Sequence, residues 1–175
     1  MTMTPGLRKL ALTVHVTCSV GSLGAVAGFL ALAVIGLTSS SAQMVRSAYV
    51  GMELIAWFVI VPLVAGSLLT GLVQSLGTTW GLFRHYWVVM KLLLTVLVAV
   101  VLLLQMESIS CLARFAAETT LADADFLGVR SSLVIHAAGG LLVLLVLVAL
   151  SAYKPRGLTH YGWRKHHGKR TAVMP

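Results

Sequence analysis

Four long apolar stretches dominate this sequence, and they restrict the chain to folds that cross a lipid bilayer. They run over residues 10–37, 49–76, 86–106 and 129–153. Each exceeds the roughly 20 residues that a helix needs to span the hydrocarbon core. Because 58% of the residues are hydrophobic and only 10% are charged, a water-soluble globular domain, in which roughly a quarter of the residues are charged, is excluded.

The connections between these stretches are short, which predicts an all-α, up-down-up-down bundle of four transmembrane helices. We assign residues 1–153 to this domain and residues 154–175 to a basic tail. Within the connection after the third stretch, residues 110–120 predict a short amphipathic helix lying on the outer membrane surface.

Basic residues predict the orientation of the bundle. Six of the thirteen Lys and Arg residues lie in the tail, whereas the first connection carries only Arg46. Basic residues favour the cytoplasmic side, so both termini are predicted to be cytoplasmic. The expected location is the inner (plasma) membrane of a bacterium, with a multi-pass topology.

The basic tail also predicts a partner. Each cation beside an anionic leaflet is worth about 1 kcal/mol, so residues 154–175 are expected to contact anionic lipid headgroups. The net charge of +8 therefore does not require nucleic acid as a partner.

Small residues and one proline inside the spans predict how the helices pack. Glycines allow helix backbones to approach closely in lipid, which predicts packing within the bundle, with dimerisation through Gly24 and Gly28 as the alternative. Pro62 removes one backbone hydrogen bond and predicts a kink in the second span. The predicted packing glycines are Gly21, Gly24, Gly28, Gly139 and Gly140.

Ionisable side chains at membrane depth cost about 2.5–3.5 kcal/mol each on insertion scales and often mark functional sites. His15 and Cys18 are three residues apart, on one face of the first helix, and His85 enters the third span from the same side of the membrane. Imidazole nitrogens bind haem iron and copper, so His15, with Cys18 or His85, is a candidate haem or metal ligand. Alternatively, His15 bonds a backbone carbonyl, His85 is an interfacial residue and Cys18 is a small apolar filler.

A second polar cluster is predicted near the opposite face of the membrane. Glu53 and His136 enter their spans from that side, and Gln105 lies at the end of the third span on the same side. A carboxylate that faces an imidazole favours the charged form of both groups. Glu53 and His136 are therefore candidates for proton coupling, and His136 is also a separate candidate cofactor ligand.

The sequence HVTCSVGSLG at residues 15–24 resembles the start of small, uncharacterised four-helix bacterial membrane proteins, which are related in style to copper-resistance D and cytochrome b561-like bundles. In that pattern a His is followed by a Trp and then a Gly; His15 and Gly24 match, whereas Ser22 stands at the Trp position. TWGLFRHYWVVMK at residues 79–91 is similar to the entry of the third span in such proteins. The resemblance implies an inner-membrane bundle that handles haem or copper.

Three functions follow as hypotheses. The first is a bacterial inner-membrane protein that binds haem b or a transition metal such as copper within the bundle, for electron transfer or cofactor handling. The second is a non-catalytic scaffold or subunit that assembles with itself or with a membrane partner. The third is a small proton-coupled transporter that acts as an oligomer. The sequence contains no phosphate loop, nucleophile elbow or zinc-protease motif, so it assigns no catalytic residue and leaves open whether the protein is an enzyme.

Overall fold

The protein is a bundle of long helices, and the computed structural model describes residues 3–77, 85–118, 127–153 and 163. No strand occurs within these ranges, and four helices are long and apolar enough to cross a membrane. The predicted all-α, four-span architecture is therefore confirmed. The helices are α1 (Pro5–Thr38), α2 (Ala42–Ile55), α3 (Val61–Gly77), α4 (Tyr86–Glu118) and α5 (Leu127–Tyr153), with a π-helical turn (Ala56–Ile60) that joins α2 to α3 in one span.

Contacts between helix ends show that successive spans run antiparallel. The backbone N–H of Met3 donates to the carbonyl of Gly77 (3.2 Å), and Lys91 near the start of α4 reaches Ser151 near the end of α5. We call this the terminal end of the bundle and the opposite end the distal end. Which side of the membrane each end faces stays a prediction, and the tail at 154–175, with its proposed lipid contacts, lies outside the described residues except for Trp163.

The distal half of the bundle holds a closely packed apolar core. The side chains of Tyr49 and Met52 on α2, Leu112 on α4 and Leu133 on α5 are fully buried in one hydrophobic cluster. On α2, Val45, Tyr49 and Met52 recur at intervals of three or four residues, which places them on one helical face. The distal half is therefore closed by tightly packed side chains.

The third span is longer than its apolar segment predicts, because α4 continues without a break to Glu118. Ile109, Leu112 and Ala116 lie one turn apart on this extension, and all three are buried in the distal core. The prediction of a separate surface helix at residues 110–120 is therefore wrong. The apolar face that suggested a membrane-surface helix instead packs within the bundle, where α4 contacts α2.

The predicted disturbance at Pro62 takes the form of a π turn immediately before it. The N–H of Val61 donates to the carbonyl of Ala56, five residues back. Pro62 has no N–H and cannot donate to the carbonyl of Phe58 as an α-helical residue would. Wider turns of this kind accommodate such interruptions, and the chain is helical on both sides.

Glycines with close neighbours lie mainly between α1 and α3. A Cβ added to Gly66 would lie 3.0 Å from the Sγ of Cys18, and one added to Gly21 would lie 3.2 Å from a methyl carbon of Leu63. Of the predicted packing glycines, Gly21 alone is in such a contact. A Cβ on any of the others would meet nothing within 4 Å; they are Gly24, Gly28, Gly139 and Gly140.

The contact between α1 and α3 leads to a first prediction. We expect Gly66→Val to lower the free energy of unfolding by about 1–3 kcal/mol, the usual cost of overpacking, because the new side chain meets Cys18. Cys18→Ala should recover much of that loss in the double variant. SDS titration of purified protein in micelles measures both, with Gly24→Val as the control for helix propensity. An equal cost of Gly66→Val in the presence and absence of Cys18 would contradict the packing explanation.

Candidate functional site

A small polar cavity lies in the terminal half of the bundle, and all four spans line it. Its volume is about 50 Å³, which is room for a few water molecules where polar groups hold them. Val64, Val98 and Leu147 are among its apolar walls. Its polar lining consists of His15, Ser19 and Ser22 from α1, Ser67 from α3, Lys91 and Thr95 from α4, and Ser151 from α5.

The ring of His15 is held by α3. Its Nδ1 lies 3.0 Å from the carbonyl oxygen of Ser67 and 3.1 Å from the Oγ1 of Thr70. Because a carbonyl only accepts, Nδ1 carries the hydrogen and donates it. The ring fits because α3 has no side chain at Gly71, where a Cβ would lie 3.2 Å from the Cε1 of His15.

This arrangement assigns a role to each nitrogen of the imidazole. With Nδ1–H bonded to Ser67, the Nε2 of a neutral His15 carries the lone pair. Nε2 makes no hydrogen bond to any residue in the described ranges. His15, which lines the polar cavity, therefore has one ring nitrogen able to accept a proton.

Lys91 joins α4 to α5 at the same cavity. Its Nζ donates to the Oγ of Ser151 at 2.7 Å, and that hydroxyl donates in turn to the carbonyl of Leu147 at 2.8 Å. The Nζ also lies 6.0 Å from the centroid of the Trp87 ring, within the range of a cation–π contact. An ammonium group and an imidazole from different spans thus face one cavity.

Hydroxyl groups complete the polar lining. The Oγ atoms of Ser19 and Ser67 are 2.9 Å apart, Ser22 donates to the carbonyl of Cys18 at 2.8 Å, and Thr95 donates to the carbonyl of Lys91 at 2.8 Å. Hydroxyls both donate and accept hydrogen bonds. The cavity is therefore chemically suited to ordering water and to passing protons or binding a small polar solute.

Sequence reasoning assigned His15 to a site and placed Lys91 near the same face of the membrane, but it gave Lys91 and the surrounding serines no role in that site. Lys91 carried a usable signal, because a lysine at membrane depth is rare. Ser19 also carried one, since it lies one turn from His15 on the same helix. Ser67 and Ser151 gave no usable sequence signal, because serines are common in membrane helices. The side chains that they contact at the cavity also lie on other spans.

The other inner-side candidates do not line the cavity. The ring of His85 lies beside Trp87, with centroids 6.4 Å apart, and the Sγ of Cys18 faces Gly66. Within the described residues, no group of three or more His, Cys, Asp and Glu side chains is suited to hold a metal. Of the three predicted inner ligands, His15 alone contributes to the cavity.

The predicted outer cluster is not joined by hydrogen bonds in the part of the chain that the structure describes. Glu53 and Gln105 are half-buried, and neither side chain forms a hydrogen bond to a described residue. His136 is exposed on α5, where its Nδ1 lies 2.7 Å from the carbonyl oxygen of Ser132 on the same helix. The polar partner of His136 therefore lies on its own helix and not on the spans that carry Glu53 and Gln105.

The residues of the terminal cavity do not fit haem or copper. Pockets for organic ligands occupy about 300–1,000 Å³, far more than the roughly 50 Å³ here. Copper prefers several nitrogen or sulfur ligands, whereas the lining supplies one imidazole, one ammonium group and hydroxyls. The donor set is that of a hydrated polar site.

Comparison with family models, curated proteins and solved structures finds no match to this chain. The resemblance to copper-resistance D and cytochrome b561-like bundles thus rests on the short sequence segments alone. Across the described residues, the protein is helical and has four helices of membrane-spanning length.

Proposed function

We propose that this protein is a proton-coupled membrane protein that takes up and releases a proton at His15. One observation carries the proposal: the Nδ1–H of His15 is bonded to Ser67, which leaves Nε2 able to accept a proton, and His15 lines a polar cavity together with Lys91. Imidazole changes its charge near neutral pH more readily than any other side chain. Ionisable groups that face cavities inside membrane proteins form proton relays and ion pathways.

The surroundings of His15 suit this role. When Nε2 takes a proton, the Nδ1–H bond to Ser67 persists, so the ring need not turn to change its charge. Lys91 and the hydroxyls of Ser19 and Ser151 line the cavity and are hydrogen-bonding groups of the kind that hold bridging water. On the distal side of Ser22, α1 continues with buried apolar side chains. We therefore expect the proton to exchange with the terminal end, and transport to the distal end would require this apolar core to move.

His15→Asn is the variant that tests the proposal. Its amide N–H₂ retains a donor near Nδ1 for the carbonyl of Ser67, but the amide does not titrate. In proteoliposomes carrying an internal pH dye, we expect the wild-type protein to conduct protons under an imposed gradient and His15→Asn to reduce the rate about tenfold or more. His85→Asn, outside the cavity, should leave the rate unchanged. Equal flux through the wild type and His15→Asn would refute the proposal.

The haem and copper hypothesis stays a prediction of the sequence, and the cavity does not support it. The scaffold hypothesis likewise has no observation that favours it at this site. The transporter hypothesis is retained, but its working residue is proposed to be His15 rather than Glu53 and His136.

A further inference from the structure

A polar pair faces outward from α5 at membrane depth. His136 is exposed on this helix. Since α5 runs from Leu127 to Tyr153, its middle is near residue 140, and His136 lies roughly 6 Å from that level at about 1.5 Å per residue. An imidazole that faces hydrocarbon is costly. The free energy therefore favours covering this face with a partner that bonds to it.

The hydrogen bonds of His136 show what such a partner must offer. Its Nδ1 lies 2.7 Å from the carbonyl oxygen of Ser132 and 3.1 Å from the Oγ of the same residue. The carbonyl only accepts, so Nδ1 carries the hydrogen and Nε2 is an acceptor. The Ser132 hydroxyl accepts from Nδ1 and keeps its own hydrogen to donate. This face of α5 thus presents one acceptor and one donor, which belong to residues one helical turn apart.

We propose that the occupant of this face is a second copy of the same chain. A two-fold axis along the membrane normal brings the same face of both copies together. The hydroxyl of Ser132 in each copy then donates to the Nε2 of His136 in the other, so two hydrogen bonds form and both imidazoles are covered. Lipid chains offer no donor or acceptor at this depth, and the donor–acceptor pair on α5 is complementary to itself.

The backbone beside the polar pair allows this approach. Gly139 and Gly140 follow His136 by one turn, and a Cβ on either would meet nothing within 4 Å in one copy of the protein. Helix association in lipid depends on such close backbone contact. The face of α1 at Gly24 and Gly28 is equally open, but its exposed neighbours Val20 and Ala27 are apolar. That face carries the exposed hydroxyl of Thr17 but no ionisable group, and it serves as the internal control.

The test compares one leucine on each of the two open faces. A Cβ at Gly139 or at Gly24 would meet nothing within 4 Å, so we expect neither Gly139→Leu nor Gly24→Leu to disturb the folded monomer. We expect the full chain to be dimeric in lipid nanodiscs and dilute liposomes, measured by single-molecule photobleaching of a labelled terminus. Gly139→Leu should weaken dimerisation at least tenfold and Gly24→Leu should leave it unchanged. His136→Ala should weaken it about tenfold, since interhelical hydrogen bonds contribute modestly.

Three results would overturn the proposal. The first is a wild-type protein that stays monomeric at all lipid dilutions, which would mean that something else covers α5. The second is a dimer that Gly24→Leu separates and Gly139→Leu does not, which would place the interface on α1. The third is a dimer insensitive to both Gly139→Leu and His136→Ala. None of these results bears on proton flux through His15.

Discussion

Arg130→Met is expected to lower the free energy of unfolding by about 3 kcal/mol, because Arg130 holds the distal ends of three helices together. Its Nη2 donates to the carbonyls of Gly36 and Leu37, in the last turn of α1, and its Nε donates to the hydroxyl of Tyr49 at 3.0 Å. The last carbonyls of a helix lack partners within it and attract positive charge. Removing the guanidinium leaves these acceptors half-buried without a donor, which costs about 1–3 kcal/mol for each group.

Arg114→Met is the matched control for this experiment. Arg114 is exposed on α4, and its Nε donates to the carbonyl of Ser110 on the same helix at 3.3 Å. A surface change of this kind should shift stability by no more than about 0.5 kcal/mol. Unfolding in mixed detergent–SDS micelles, followed by tryptophan fluorescence, measures both variants. Similar losses for the two arginines would mean that Arg130 does not act through its contacts with α1 and α2.

Arg130→Lys refines the same measurement. Lysine keeps the charge but lacks the planar fork with which arginine reaches several acceptors at once. We therefore expect a loss of stability between those of the wild type and Arg130→Met. A lysine variant as stable as the wild type would show that charge alone accounts for the effect.

Gly36→Leu is expected to be comparably damaging, with a loss of about 3 kcal/mol, at the upper end for overpacked cores. Even a Cβ at this position would lie 2.8 Å from the Cζ of Tyr49. The ring of Tyr49 is 1% exposed and bonded to Arg130, so it has little freedom to move aside. The new side chain must therefore separate α1 from α2 at the distal end.

Gly28→Leu provides the comparison for Gly36→Leu, since it makes the same change on the same helix where a Cβ meets nothing within 4 Å. The same unfolding assay applies, and Gly28→Leu should be close to neutral. Tyr49→Leu should recover part of the loss in the Gly36→Leu background by removing the far end of the ring. If Gly28→Leu and Gly36→Leu were equally destabilising, helix propensity or lipid contact would explain the loss instead.

The spans were predictable because each is a continuous apolar run, a signal that depends on residue order alone. The full length of α4 could not be predicted, because polar residues after residue 106 interrupt its apolar run. Its continuation to Glu118 depends on contacts of Ile109 and Leu112 in the distal core. The sequence of this apolar face is the same whether the face packs against another helix or lies on the membrane surface.

The candidate site was only partly predictable for a related reason. His15 could be predicted as a site residue because ionisable residues are rare in membrane spans. Placing His15 and Cys18 on one helical face, however, ignored the angle between their side chains. A separation of three residues turns the side chain by about 60° around the axis. In the structure that difference directs His15 to Ser67 and Thr70 and Cys18 to Gly66.

The sequence by itself determined that the chain is all-helical, that it has four spans and which ionisable residues lie within them. Only the tertiary structure decided how each helix is rotated, which places His15 and Lys91 at one cavity and leaves His136 and Gly24 facing outward. The physical reason is that lipid chains and the interior of the bundle are equally apolar. A membrane helix is therefore hydrophobic on all sides, and its sequence carries little of the amphipathic signal that tells which face of a soluble helix is buried.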